Sequence, residues 1–209
     1  MSEIKYLPKN LNIGLSNCQH DIVIRCDSDD ISLPDRFQVQ TNILADNPSI
    51  AITSCNSIEI TETTQRLKRV PIGEVGRCSI STFFKNPVNH HSCAFRKSVI
   101  QKFKYPNGEM EDFRLWVKVL GAGHLIKNTE EPLTHVSAEG LAKRRIRSGY
   151  SKAEFHLMSL NMARCKLLGI IIAPLAFCIR FPLRYNFLHK ILKLALSTSR
   201  SKLAGSKNG

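Results

Sequence analysis

Asp27, Asp29 and Asp30 place three carboxylates within four residues, in the segment CDSDD at 26–30. Repulsion at that spacing invites a cation, and hard carboxylate oxygens suit magnesium or manganese. A divalent metal that keeps water ligands can bridge a diphosphate and neutralise its charge as it leaves. Aspartates are also common in turns and caps, so a plain acidic turn is the alternative for the cluster alone.

The elements around the cluster follow from periodicity and breakers. Residues 21–26 (DIVIRC) form a short β-branched run of strand type, which sets the acids at a strand end. Ser32, Leu33, Pro34 and Asp35 read as a helix start with a hydroxyl cap and an early proline, the helix running to about Ala45 before Asn47-Pro48 stops it. Residues 50–55 and 57–60 read as strands, 61–68 as a loop or hairpin, 79–85 as a helix and 92–96 as a strand. In 111–120, Phe113, Trp116, Val117 and Leu120 share one helical face, and Gly121 and Gly123 end the helix. Residues 125–127 and 132–136 are further short strands, after which the pattern turns helical. The class is α/β.

Seven cysteines, odd in number and irregularly spaced, argue for free thiols in a reducing cytoplasm, and none stands at zinc-finger spacing. The net charge of +13 is unevenly distributed: residues 1–140 hold 16 Lys/Arg against 16 Asp/Glu, and residues 141–209 hold 14 against Glu154 alone. A neutral domain, 1–140, is therefore followed by a cationic helical extension, 141–209. The extension contains LLGIIIAPLAFCI (167–179), 13 uncharged residues, too few for a bilayer that needs about 20. Arg180, Arg184, Lys190 and Lys193 follow, interleaved with Phe181, Tyr185, Phe187 and Leu188. That mixture fits an anionic membrane surface, and equally a core helix pair under a basic face. Nucleic acid is not expected as a partner, because the apolar run interrupts the basic segment and no recognised binding motif accompanies it.

Three blocks resemble family-2 glycosyltransferases of the capsule and lipopolysaccharide type. The first is LNIGLSNCQHDIVIRCDSDDISLPDR (11–36), with Asn12, Gly14, Leu15, Arg25, Asp27, Asp29, Asp30, Ser32, Leu33, Pro34 and Arg36 on the family pattern around its DxD motif. The second is NPVNHHSCAFR (86–96), with His91 where proline is usual, and the third is EDFRLW (111–116), followed by Asn128 and Glu131-Pro132-Leu133. The resemblance implies a GT-A fold, a divalent metal (Mn2+ or Mg2+) and inverting displacement at the anomeric carbon of a nucleotide sugar, a UDP-sugar by preference. It implies a lipid-linked saccharide as acceptor, at the cytoplasmic face of the bacterial inner membrane.

By the same resemblance Asp27 and Asp29 face the ribose and the metal-bound diphosphate, with Arg25 and Asp30 beside them in nucleotide-sugar binding. Asp112 takes the position of the general base, supported by Glu111; the helix dipole favours its ionised form, and a plain helix-start acid is the alternative. Trp116 stacks on a sugar or is a core aromatic. His90 lines the acceptor side or bonds a loop carbonyl, and His135 adds a metal or phosphate contact. Arg144, Arg145 and Arg147 reach phosphates or lie in solvent. The family's opening strand–helix–strand, which holds the uracil, has no counterpart here. A separate N-terminal half is thus a further expected partner, with an inactive remnant or a non-catalytic interaction protein as the competing reading.

Overall fold

The computed structural model describes residues 7–108, 110–138 and 150–184, the last span by backbone alone over 150–157 and 180–184. The elements in chain order are α1 (Leu7–Asn17), β1 (Ile22–Ile24), β2 (Ile31–Ser32), α2 (Arg36–Asp46), β3 (Ile50–Ile60), β4 (Gln65–Lys68) and β5 (Gly73–Val75). There follow α3 (Ser81–Phe84), a 3-10 turn (His90–Ser92), β6 (Ala94–Arg96), α4 (Lys97–Phe103), α5 (Glu111–Gly121), β7 (Leu125–Ser137) and α6 (Tyr150–Arg184).

The strands make one mixed sheet in the order β1-β6-β3-β7-β2, with β4 added to β3 and β5 to β7. Its centre is the parallel pair β3–β7, and β6 runs antiparallel to both β1 and β3. Side chains alternate across the sheet as the pleat requires. Ile22, Ile24, Ile50 and Ala94 pack with Leu44 of α2 on one face. Val23, Cys93 and Phe95 join Leu15, Ile100, Leu115, Trp116, Val119 and Leu120, from α1, α4 and α5, on the other. The result is a three-layer α/β sandwich.

Several expected boundaries move, each for a visible reason. The helix expected at Ser32 begins instead at Arg36, because Ser32 pairs with Thr134 of β7 and Leu33 N–H donates to Leu133 O at 3.0 Å. Ser32 Oγ accepts a hydrogen bond from Arg36 Nη1 at 2.7 Å and caps no helix. The two strands expected at 50–60 are one, and so are the two at 125–136. The register shift at Asn56 is bridged by its own side chain: Asn56 Nδ2 donates to Glu130 O at 2.6 Å and Asn56 Oδ1 accepts from Val70 N–H at 2.9 Å. Residues 61–68 form a hairpin, and α1 and α4 are helices that periodicity did not single out. Of the basic extension only α6 is described; Arg144, Arg145, Arg147 and residues 185–209 lie outside the described residues.

Candidate active site

Beyond β1, Arg25 N–H donates to Cys93 O at 2.9 Å, and the chain then turns, with Asp30 N–H donating to Asp27 O at 3.2 Å. The three aspartates diverge in this turn. Asp27 Oδ1 lies 2.5 Å from Arg25 Nη2. Asp29 is exposed. Asp30 turns inward: Oδ1 accepts from Ser137 N–H at 3.2 Å and Oδ2 stands 3.7 Å from His91 Nδ1. Burial pushes its carboxyl above the usual range. Asp30 thus ties the turn to β7, and Asp27 and Asp29 remain the pair open to a ligand.

The turn rests on a buried cation that meets no carboxylate by hydrogen bond among the described residues. Arg36 is fully buried. Its Nη2 donates to Arg25 O at 2.6 Å, its Nη1 to Ser32 Oγ, and its Nε to Gln40 Oε1 at 3.2 Å. The fork of a guanidinium suits this, because its fixed donors span the strand end and the helix start together.

As metal ligands, Asp27 and Asp29 fit an ion that takes one or two carboxylates and completes its shell with water and substrate phosphate. A closed protein cage is not what they offer: among the described residues no three His, Cys, Asp or Glu side chains group at ligating distance. His135 lies on β7 across from Ile31 of β2, near the turn but not grouped with the acids.

The second acidic pair opens α5, after Met110 in the left-handed region (φ 55°). Asp112 Oδ2 accepts from Asn86 Nδ2 at 2.9 Å, and Asn86 Oδ1 accepts from Val88 N–H at 3.1 Å, so Asn86 is held while it holds Asp112. Burial pushes the Asp112 carboxyl above its ordinary range, opposed by the Phe113 N–H, by Asn86 and by the charges of Lys68 and Arg25. Glu111 is likewise raised, by burial and then by Asp112 beside it. Arg25 links the two acidic sets. It is ion-paired to Asp27, and its charge favours the ionised forms of Glu111 and Asp112. Its Nε and Nη1 are buried with no hydrogen-bond partner among the described residues.

Behind these acids stands an aromatic wall. His90 Nε2 is 3.1 Å from Tyr105 Oη, and its ring meets Trp116 edge-on at 5.6 Å between centroids. Burial holds the His90 imidazole well below its usual pKa, so it is neutral. Trp116 is 0% exposed and belongs to the main core, which favours the core aromatic over a sugar platform. Sequence reasoning missed Tyr105 and the hydrogen-bonding role of Asn86. It also missed Lys68, whose Nζ is 3.4 Å from His91 Nε2 and 4.0 Å from Glu59 Oε1. Asn12, an early motif residue, clamps Tyr105 by its backbone: Asn12 Nδ2 donates to Tyr105 O and Asn12 Oδ1 accepts from Tyr105 N–H, both at 2.9 Å.

Known proteins resemble this chain in sequence and in fold. Residues 3–103 match the family described as Glycosyl transferase family 2. An amylovoran biosynthesis glycosyltransferase of Erwinia amylovora is 36% identical over 178 residues, covering 83% of this chain and 66% of that protein. The UDP-Gal:alpha-D-GlcNAc-diphosphoundecaprenol beta-1,3-galactosyltransferase of Escherichia coli is 34% identical over 163 residues, 72% of this chain and 58% of its own length. The chain thus spans about two thirds or less of these relatives. A mannosyltransferase from Pyrobaculum calidifontis, solved in complex with GDP-Man and Mn2+, superposes with a TM-score of 0.57 at 17% identity, over 95% of this chain and 58% of that one. At that identity the likeness carries the fold, which is GT-A.

Proposed function

The chain belongs to the family 2 glycosyl transferases, and from that premise we propose that it moves a sugar from a nucleotide diphosphate to a lipid-linked saccharide in bacterial surface-polysaccharide synthesis. The observation that carries the reading is Arg25, which sits between an open carboxylate pair and a half-buried one. A reaction that needs a metal-bound diphosphate at one end and a proton acceptor at the other is served by this division.

In the proposed reaction Asp27 and Asp29 are the residues that would hold a manganese or magnesium ion for the donor diphosphate. When bound, the ion neutralises charge on the leaving group. Asp112 accepts the proton of the acceptor hydroxyl as its oxygen bonds to the anomeric carbon; the bond to the diphosphate oxygen breaks on the opposite face, with inversion. Asn86 fixes the carboxylate that takes the proton, and Asn86, Lys68 and Arg25 each oppose the effect of burial on its charged form. Glu111 adds negative potential, and neutral His90 packs the acceptor side. A lipid-linked acceptor puts the work at the cytoplasmic face of the inner membrane, and UDP is the nucleotide carried by the named Escherichia coli relative's donor.

The test is titration of a labelled UDP-sugar into the chain with and without manganese, beside Asp29→Ala. Binding that needs the metal and disappears in the variant is the expected result. A folded chain that binds no nucleotide sugar, or binds it equally without Asp29, would sink the reading.

A further inference from the structure

The helix α6 exposes an apolar face with no partner among the described residues. Leu167 is 74% exposed, Ile171 64% and Leu175 57%, and Leu168, Ile170 and Ile179 are also exposed. Residues 167, 168, 171, 175 and 179 follow helical spacing and form one stripe. The opposite face is fastened to the domain: Cys165, Ala173 and Ala176 pack with Phe83 of α3, and Leu160 packs against Phe113 and Val117 of α5. Arg164 adds polar anchors, its guanidinium lying 5.3 Å from the centre of the Phe83 ring and its Nη2 donating to Thr82 Oγ1 at 2.5 Å.

The segment Met158–Ile179 is, at 22 residues, long and apolar enough to cross a membrane by length and composition. Its shape argues otherwise. The backbone leaves the helical region at Lys166 (φ 48°, ψ −123°). The break presses Gly169 so close to the helical segment before it that a Cβ there would lie 2.6 Å from Asn161 O and 2.8 Å from Met162 O. The unbroken apolar run is therefore 167 to 179, 13 residues. At 1.5 Å per residue it extends about 20 Å, short of a hydrocarbon core of roughly 30 Å.

We infer that this face of α6 is a docking surface for an anionic lipid bilayer, lying in the plane of the interface rather than crossing it. The charge of the flanking sequence selects this occupant: residues 141–209 hold 14 Lys/Arg and one Glu, cations at both ends of an apolar stripe. The attachment has a consequence for the site and, in this part, rests on the proposed function. The helix grips α3 and α5, α5 opens with Glu111 and Asp112, and Asn86 lies two residues beyond α3. Docking would thus bring the proton-accepting pair to the lipid that carries the acceptor.

The experiment is flotation of the whole chain with phosphatidylglycerol-rich vesicles and with pure phosphatidylcholine vesicles, for the native sequence and for Ile171→Glu/Leu175→Glu. Binding to the anionic vesicles, roughly 100-fold weaker in the double variant, is expected. Retained near-ultraviolet dichroism shows that the variant is folded. Depth is read on a Trp116→Phe background by placing tryptophan at Leu167 or Ile179 and quenching with brominated lipids; equal, shallow depths are expected. Four outcomes would overturn the proposal: no flotation of the folded native chain, equal flotation of the variant, a shallow Leu167 with a deep Ile179, or a dimer in sedimentation that the double variant abolishes. None of these measurements uses a nucleotide sugar, so they stand or fall apart from the transferase reading.

Discussion

The two carboxylate sets of the site are chemically alike and physically opposite. Asp27 and Asp29 lie on a short exposed turn, with one ion pair to Arg25 between them. Glu111 and Asp112 begin a helix whose next residues are core, and burial raises the pKa of both. The contrast suits the proposed division of labour. A carboxylate that must meet a hydrated metal gains from exposure, which leaves room for water and phosphate in the metal's shell. A carboxylate that must take and release a proton gains from a pKa lifted toward the working pH.

The sharpest way to break the comparison is Asp112→Asn. The amide keeps the shape and can still accept from Asn86, but it cannot take a proton. Turnover should fall about 10²- to 10⁴-fold, with the metal-dependent binding of nucleotide sugar retained. Thermal unfolding should be no lower at neutral pH, because an ionised group held at a raised pKa costs folding energy that the amide does not. The sign follows from linkage: an acid whose folded pKa exceeds its unfolded value binds its proton more readily when folded, so stability declines as pH rises through that value. Activity runs the other way. The base must be ionised, so the acid limb of kcat/KM should lie above the ordinary aspartate value of 3.8. Loss of nucleotide-sugar binding in Asp112→Asn would erase the distinction between the two sets.

A smaller effect is expected from Asn86→Ala, which removes a donor to the charged form of Asp112 and so disfavours it. The acid limb should move to higher pH, and stability should fall by about 1 to 3 kcal/mol. An unmoved pH profile would show that Asn86 is only a loop residue. The smallest functional effect is expected from Trp116→Phe. The indole is fully buried and its Nε1 has no hydrogen-bond partner among the described residues, so the change removes packing alone. Stability should fall by about 1 to 2 kcal/mol, with the acceptor KM unchanged. A raised acceptor KM would restore the sugar-stacking role.

Much of this architecture was legible before the fold was known. The β-branched run before the aspartates and the helical face of Phe113, Trp116, Val117 and Leu120 are local patterns, and both became elements near the expected bounds. The misread helix start at Ser32 is instructive, because a hydroxyl, a proline and an acid make the same short-range signal whether they cap a helix or end a strand. Pairing with Thr134 decided between them, and that partner lies about a hundred residues away. Tyr105 was invisible for the same reason: it follows Lys104 at φ 55° in no periodic pattern, and its contacts run to Asn12, His90 and Trp116. Asn86 was noticed as part of a motif, but only the fold paired it with Asp112.

The inward hydrogen bond of Asp30 has a consequence for the chain during synthesis. Its donor, Ser137, is 107 residues downstream, and among the described residues β2 likewise pairs only with β7. At roughly 5–20 residues per second, a ribosome needs about 5 to 20 s to travel from one to the other. For that interval the nascent chain carries its acidic turn with no strand to close it. The closed acidic turn is therefore a late product of translation, and a release or pause before Ser137 would leave the aspartates made but not placed.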